Sequence, residues 1–322
     1  MMLLSYTNCS DSKVGQIESK LYMYLEYFQL KAEPFNIAPN PNLLFPSSRH
    51  QEAIGYLRYG LRGAGGFVML TGEVGTGKTM VSRAVLSDLP EAIKVAYILN
   101  PTLNNIQLLK SVCESFAIEV EDAEDHKSLS DALQHFLVAE HQAGHSCLLV
   151  IDEAQHLAPE ALEQLRLFTN IETNDKKLLQ IILIGQPELQ EKLNTRELRQ
   201  LAQRITARYH LLPLTLDETF AYINHRIQAV GGMRPLFEQK AMKLIFSYAK
   251  GTPRLINLLA DRALMGAFAT NQMQVNAGLV CQAAKEILGI TQEKPSFWRR
   301  HKWWSLALAG ITLTGVGLTL AI

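Results

Sequence analysis

One eight-residue stretch constrains this chain more than any other. It runs from Gly72 to Thr79 and reads G-E-V-G-T-G-K-T. An apolar run at 66–71, typical of a buried strand, precedes it, and residues 80–86 after it have the pattern of a helix. This strand–loop–helix context is the one in which G-x-x-x-x-G-K-T forms a phosphate-binding loop. The sequence therefore predicts a site for the phosphates of a nucleotide.

The loop motif predicts a role for each of its polar residues. Backbone N–H groups of such a loop surround the phosphate oxygens, and the start of the following helix adds partial positive charge. We expect Lys78 to reach the outer phosphates and the Thr79 hydroxyl to hold Mg²⁺. The predicted nucleotide-binding residues of this stretch are Gly72, Glu73, Val74, Gly75, Thr76, Gly77, Lys78, Thr79 and Met80.

A second motif lies some 70 residues further on. The apolar run 147–151 ends in Asp152 and Glu153, as expected for a buried strand whose carboxyl end reaches the nucleotide. We expect Asp152 to meet Mg²⁺ directly or through water, and Glu153 to polarise the attacking water. The run continues as D-E-A-Q, which also occurs in superfamily-two helicases. Those proteins need a later S-A-T motif and an arginine-rich motif in a second similar domain, and we find neither.

Gln186 follows a further apolar run at 178–184. A polar residue at the tip of this predicted strand can touch the γ-phosphate or the lytic water. The competing interpretation is a turn made by the Gly-Gln-Pro sequence.

Three arginines between 198 and 211 are candidates for action in a neighbouring subunit. We interpret this region as the end of a helix that runs into a final strand at 209–214. An arginine that neutralises transition-state charge accelerates phosphoryl transfer by orders of magnitude. Arg204 is the preferred candidate, ahead of Arg208 and Arg199; solvated surface charges are the alternative.

After residue 217 the patterns are helical throughout, at about 217–230, 238–249, 253–270 and 275–288. Pro253 occupies the first turn of the third of these helices, where proline is tolerated. Arg254 follows it, and in a lid over the nucleotide it can contact the γ-phosphate. An ordinary surface arginine is the alternative.

The C-terminal residues have the composition of a membrane span. Residues 305–322 carry no charge, Trp303 and Trp304 precede them, and a basic cluster lies at 299–302. About 20 apolar residues suffice to cross a bilayer, and positive charge marks the cytoplasmic side.

The whole chain carries 31 basic and 31 acidic residues, so net charge gives no general attraction to nucleic acid. Its four cysteines lack metal-ligand spacing and suit a reduced cytoplasmic body.

These features divide the 322 residues into five predicted segments. The first is either an extension upstream of the true start or a disordered tail. In order, the segments are 1–22 as this extension, 23–215 as the nucleotide-binding core, 216–290 as a helical lid, 291–302 as a basic linker and 303–322 as a transmembrane helix.

The combination of motifs resembles the AAA+ ATPases and, within them, the ExeA or general-secretion-pathway A group. The stretches that carry the resemblance are 23–28, Glu33-Pro34-Phe35, 72–79, D-E-A-Q-H-L at 152–157, G-Q-P-E-L at 185–189, 201–211 and Gly251-Thr252-Pro253-Arg254. The resemblance implies an α/β fold of the P-loop NTPase type, in which a five-stranded parallel sheet has helices on both faces. It suggests the strand order 5-1-4-3-2. It also implies nucleotide roles for Lys78, Thr79, Asp152, Glu153 and Arg254.

The resemblance further implies work at the bacterial inner membrane. We expect a single-pass, Mg²⁺-dependent ATPase with its ATPase domain in the cytoplasm. It would couple ATP binding and hydrolysis to assembly of a type IV pilus of the MSHA kind or of related secretion machinery. The expected partners are other copies of the chain, in a ring or dimer formed through Arg204, and inner-membrane proteins of that machinery. The peptidoglycan-binding activity of the secretion member is not carried over, because its further domain has no counterpart in this sequence.

Two other functions stay open at this point. A DNA-acting AAA+ ATPase of the transposition-accessory type has a similar core, but it predicts a basic face and no membrane span. A scaffold that binds ATP without turnover is the other, and the presence of Lys78, Asp152 and Glu153 counts against it.

Overall fold

The fold comes from a computed structural model. The structure describes residues 23–38, 43, 45–62, 66–99, 103–120, 125–172 and 177–289. Three predicted segments lie outside these residues: the N-terminal extension at 1–22, the basic linker at 291–302 and the transmembrane helix at 303–322. Among the described residues, no helix combines the length and the apolar character needed to cross a bilayer.

Five parallel strands form one sheet. They are β1 (Gly66–Gly72), β2 (Ile93–Ile98), β3 (Ser146–Ile151), β4 (Leu179–Gly185) and β5 (Ile205–Leu211). Their order across the sheet is β2-β3-β4-β1-β5, with every neighbouring pair parallel. The predicted five-stranded parallel sheet and its order are therefore confirmed.

Helices cover both faces of the sheet, as the continuous apolar strands require. Phe67 and Met69 of β1 face one hydrophobic cluster, and Val68 and Leu70 face another. The second cluster is completed by α2 (Ser48–Arg62) and α3 (Lys78–Leu86). The first is completed by α4 (Asn105–Ser115), α5 (His126–Gln142), α6 (Pro159–Phe168), α7 (Pro187–Leu193) and α8 (Arg199–Gln203).

The last strand is displaced from its predicted position. We expected it at 209–214, whereas β5 begins at Ile205 and pairs with β1 from Phe67 to Gly72. Pro213 has no N–H to donate to a ladder, so the strand ends before it. Arg204 therefore stands immediately before the strand, and Arg208 lies within it.

In the part of the chain that the structure describes, four helices follow the sheet, and we call them the lid. They are α9 (Leu216–Ala229), α10 (Gln239–Ala249), α11 (Pro253–Ala269) and α12 (Ala277–Leu288). Thr215 begins the lid with a capping box. Its hydroxyl oxygen accepts a hydrogen bond from the Glu218 backbone N–H, and the Glu218 carboxylate accepts one from the Thr215 backbone N–H.

The chain before the sheet packs on the lid. Residues 23–28 form a helix, which we call α1. Tyr24, Phe28 and Phe35 are buried in the same hydrophobic cluster as the lid helices. The segment that runs from α1 to α2 therefore crosses from the lid to the sheet, next to the loop after β1.

Candidate active site

The loop between β1 and α3 needs its glycines. Gly75 and Gly77 have φ values of 79° and 104°, in the left-handed region that glycine adopts without strain. A Cβ at Gly72 would lie 2.6 Å from the Leu211 carbonyl oxygen of the adjacent strand. The Thr76 hydroxyl donates to the Glu73 carbonyl at 2.8 Å and closes the turn. The loop thus has the tight backbone that the motif predicts.

Lys78 is a buried cation in this loop. Its side chain bends back, and Nζ donates to the carbonyl oxygens of Gly72 at 2.8 Å and Glu73 at 3.0 Å. No carboxylate of the described residues lies within 4.0 Å of it. Burial lowers the pKa of Lys78, while the more distant charges of Glu153 and Asp152 oppose that shift. A phosphate group fits this position because it would supply the missing negative charge.

Asp152 and Thr79 meet beside the loop. The Thr79 hydroxyl donates to Asp152 Oδ2 at 3.2 Å, and the Tyr97 hydroxyl donates to the same oxygen at 3.0 Å. Hydroxyl and carboxylate oxygens are ligands that Mg²⁺ accepts, alongside water and phosphate oxygens. The described residues contain no cluster of three or more His, Cys, Asp or Glu side chains suited to a metal. The fit for Mg²⁺ therefore depends on these two residues together with the nucleotide.

Glu153 stands at the carboxyl end of β3 in an unusual backbone conformation, with φ 56° and ψ 38°. Its Oε2 accepts hydrogen bonds from Gln155 Nε2 at 2.6 Å and from Gln186 Nε2 at 3.2 Å. Burial opposes ionisation of this carboxyl. The hydrogen bonds from the two side-chain amides and the charge of Lys78 outweigh that effect and lower the pKa of Glu153. The carboxylate is therefore ionised at neutral pH, as a proton acceptor must be.

Gln186 joins β3 and β4 at this end of the sheet. In addition to its side-chain bond to Glu153, its backbone N–H donates to Gln155 Oε1 at 3.0 Å. Lys192 extends the network by donating to the Gln155 carbonyl at 2.6 Å and to the Leu157 carbonyl at 2.7 Å. Sequence reasoning missed Gln155, although its place in D-E-A-Q, two residues after Glu153, was a usable signal.

Arg254 brings the lid to the phosphate loop. Its backbone N–H donates to the Gly75 carbonyl at 3.2 Å. A Cβ at Gly75 would lie 2.6 Å from the Arg254 Cβ, so only glycine allows this approach. The predicted lid arginine is thus brought to the site by the first turn of α11.

A cavity of about 260 Å³ opens between the loop, the lid and the segment before α2. Three groups of residues line it: Asn36, Ile37, Ala38, Leu43, Phe45 and His50 before or within α2; Val74, Gly75, Gly77, Lys78, Thr79, Met80 and Glu153 around the loop; and Tyr222, Arg226, Pro253, Arg254 and Asn257 of the lid. The segment before α2, together with α2 itself, therefore lies where it would cover the base of a nucleotide whose phosphates are in the loop.

Arg226 links the two walls of this cavity, and the sequence analysis missed it. It is 6% exposed and donates to the backbone carbonyls of Pro34 and Asn36. Its guanidinium also lies 5.8 Å from the centre of the Tyr222 ring, and the Tyr222 hydroxyl donates to Asn257 at 2.8 Å. An arginine on the apolar face of α9, between Ile223 and Ile227, was the available signal.

Arg204 is not part of its own chain's site. It stands at the start of β5, level with the start of β1, whereas the phosphate loop follows the end of β1. One of its nitrogens, Nη1, donates to Asn170 Oδ1 at 2.6 Å, Thr169 Oγ1 at 3.1 Å and the Arg166 carbonyl at 3.3 Å, at the end of α6. If Arg204 contacts a nucleotide, that nucleotide belongs to another subunit.

Comparison with known proteins finds similarity in both sequence and fold. A family model described as an AAA domain matches residues 61–193. General secretion pathway protein A of Aeromonas hydrophila is 48% identical over 295 residues, which is 92% of this chain. The chain spans 53% of the length of that protein.

Solved structures with a similar fold have much lower sequence identity. Cdc6p from Pyrobaculum aerophilum is 19% identical, with 79% of this chain and 70% of that chain covered and a TM-score of 0.63. The ORC2 protein of Aeropyrum pernix is 21% identical, with 80% and 72% covered and a TM-score of 0.60. At this identity the likeness concerns the fold alone. The chain therefore contains a region similar to an AAA domain at residues 61–193, and over 92% of its length it is similar to general secretion pathway protein A.

Proposed function

We propose that this chain hydrolyses ATP in the cavity between the phosphate loop and the lid, and that hydrolysis is coupled to assembly of a membrane machine. The catalytic part of the proposal rests on one observation: residues that follow three different strands lie together at one edge of the sheet. Lys78 follows β1, Asp152 and Glu153 follow β3, and Gln186 follows β4. Ligands of open parallel sheets bind at this carboxyl edge.

In this proposal the loop holds the phosphates of ATP. Lys78 would exchange its two backbone carbonyl partners for phosphate oxygens, because a buried ammonium gains more from an anion than from a neutral dipole. Thr79 and Asp152 would hold Mg²⁺, which when bound neutralises charge on the phosphates. Arg254 would add positive charge from the lid, so that nucleotide binding also draws the lid onto the loop.

Glu153 is the proposed general base. It would accept a proton from the water that attacks the γ-phosphorus, while the bond to the ADP oxygen breaks and ADP leaves with its charge neutralised. Gln155 and Gln186 hold the carboxylate by its Oε2. Gln186 is the proposed contact to the lytic water or the γ-phosphate, since its amide already reaches the base.

The binding role of Lys78 has a direct test. Lys78→Ala should raise the Kd for ATP about 100-fold, because a charge-assisted hydrogen bond contributes about 1.5–3 kcal/mol. Titration of a fluorescent ATP analogue would measure it. Lys110→Ala, at an exposed position on α4, is the matched control and should leave the Kd unchanged. An unchanged Kd in Lys78→Ala would contradict the phosphate assignment.

The proposed setting is the bacterial inner membrane, on the cytoplasmic side. It is supported by the relative named general secretion pathway protein A and by the uncharged sequence of residues 305–322. The sequence also resembles the MSHA pilus biogenesis protein MshM. We therefore propose a type IV pilus of the MSHA kind, or related secretion machinery, as the partner, and inner-membrane proteins of that machinery as direct contacts.

Removing residues 297–322 tests the anchor. The shortened chain should be recovered in the soluble fraction, because this stretch contains the proposed single span at 303–322. Fractionation in high salt and alkali measures the outcome, with the full chain as control. Shortened protein that still pellets with membranes would contradict a single anchor.

A pull-down from detergent-solubilised membranes would test the coupling to a machine. Glu153→Gln protein with trapped ATP should retain inner-membrane pilus or secretion proteins, and Lys78→Ala protein should not. The competing function, a DNA-acting ATPase, predicts instead that DNA stimulates hydrolysis and that the affinity falls steeply with salt. Such stimulation, with no membrane protein recovered, would overturn the proposed setting.

A further inference from the structure

We propose that His50 is a positioning residue for the phosphate loop, holding the Thr76 carbonyl so that the Gly77 N–H is turned to the nucleotide side. The inference rests on the ATP site proposed above. It assigns to α2 a part in phosphate binding, although His50 precedes the loop motif, which begins at Gly72, by more than 20 residues.

Three buried residues form a chain of contacts from α2 to the loop. Ser47 Oγ lies 2.6 Å from His50 Nδ1, and His50 Nε2 lies 3.2 Å from the Thr76 carbonyl oxygen. The exposed fractions are 3% for Ser47, 5% for His50 and 1% for Thr76. Ser47 also accepts a hydrogen bond from the His50 backbone N–H at 3.3 Å, so it caps α2 while it holds the ring.

The partners determine which ring nitrogen carries the proton. A carbonyl oxygen only accepts, so Nε2 must be the donor to Thr76. Nδ1 is then the acceptor, and the Ser47 hydroxyl donates to it. Burial lowers the pKa of His50, which favours this neutral ring at pH 7. Each polar atom of the ring thus has one partner, and the ring is fixed in orientation.

A fixed Thr76 carbonyl also fixes the next N–H. The peptide unit is planar and trans, so the Gly77 N–H points opposite to the Thr76 C=O and away from His50. Gly77 has φ 104°, and a Cβ there would lie 2.8 Å from His50 Nε2. The ring therefore lies against the Gly77 backbone, and the Gly77 N–H points away from the ring. Gly77 borders the cavity together with Lys78.

Two substitutions separate the hydrogen bond from the volume of the ring. His50→Leu fills the space without a donor, whereas His50→Gln can place an amide N–H near the position of Nε2. We expect His50→Leu to raise the KM for ATP about tenfold with kcat changed less than twofold, since loss of one hydrogen bond weakens ground-state and transition-state binding alike. His50→Gln should stay within about threefold of the parental KM.

Leu57→Val is the matched control on the same helix. Leu57 is fully buried in the cluster that α2 shares with the sheet, and no lining residue of the cavity is among its immediate sequence neighbours. It should lower the Tm while leaving the KM for ATP at the parental value. A control that raises KM as much as His50→Leu would mean that loosening α2 alone explains the effect, and would overturn the positioning role.

A measurement on the parental full chain does not depend on whether any variant folds. Long-range ¹H–¹⁵N correlation spectra of the imidazole should report His50 as the Nε2–H tautomer, and the Nδ1–H tautomer would overturn the proposal. A parental KM in His50→Leu, or a His50→Gln variant as weak as His50→Leu, would do the same. If Lys78→Ala also kept parental binding, the ATP site itself would be wrong; if only the His50 variants behave as the parent, the positioning role alone fails.

Discussion

Replacing Glu153 with glutamine is expected to lower kcat for ATP hydrolysis by about 10³-fold to 10⁴-fold, the upper range for a general base. ATP and Mg²⁺ binding should persist, because Lys78, Thr79 and Asp152 are untouched. Glutamine has the size of glutamate, but its amide cannot accept the proton of the attacking water. The carboxylate that it replaces is held by Gln155 and Gln186 and has a lowered pKa, so the parental protein has its base in the ionised form.

Phosphate release under steady-state conditions would measure this loss, and titration with labelled ATP would measure binding. Glu160→Gln, on the exposed surface at the start of α6, is the matched control and should keep parental turnover. If Glu153→Gln protein hydrolyses ATP at the parental rate, Glu153 is not the base.

Arg204→Ala is expected to lower ATPase activity by roughly 10³-fold while ATP binding is retained, the effect of removing an arginine that acts on a neighbouring nucleotide. The position of Arg204 at the start of β5, away from its own loop, is the reason to expect action between subunits. Specific activity of the parental protein should then rise with protein concentration, because each site is complete only at an interface.

Mixing two inactive variants tests this directly. In a mixture of Arg204→Ala and Glu153→Gln subunits, some interfaces contain an intact Glu153 and an intact Arg204, so activity should return in part. Arg199→Ala and Arg208→Ala are the parallel variants, since both arginines are alternative candidates. Concentration-independent activity with no rescue on mixing would rule out the role in trans. If mixing with Glu153→Gln rescues the Arg199→Ala or Arg208→Ala variant but not Arg204→Ala, the role in trans belongs to that other arginine.

Local motifs made most of the fold and the site predictable. The strands before Gly72 and Asp152 are apolar runs that end in residues with distinct chemistry, so both the strands and their functional ends could be read from sequence. The helical spacing of Ala53, Ile54, Leu57 and Leu61 also predicts a helix at 48–62, and α2 has these bounds. The last strand was misplaced because Tyr209 to Leu214 is more apolar than Ile205 to Arg208, whereas pairing with β1 determines the true start.

The parts that sequence reasoning missed depend on contacts between distant residues. Arg226 bonds to Pro34 and Asn36 across some 190 residues, and only the packing of the first segment on the lid brings them together. Tyr97 reaches Asp152 because β2 and β3 are neighbours in register. Nothing in the sequence around His50 distinguishes it from other residues of the helix. Its contact with Thr76 follows from how α2 packs on the sheet. No local pattern encodes these approaches.

Steady-state phosphate release by the parental full chain, with ATP and Mg²⁺, tests the central claim most directly. The account predicts many phosphates released per chain, and a rate that falls to background in Lys78→Ala protein. Tight ATP binding without phosphate release, or equal release by the Lys78→Ala protein, would contradict a hydrolytic site at this loop.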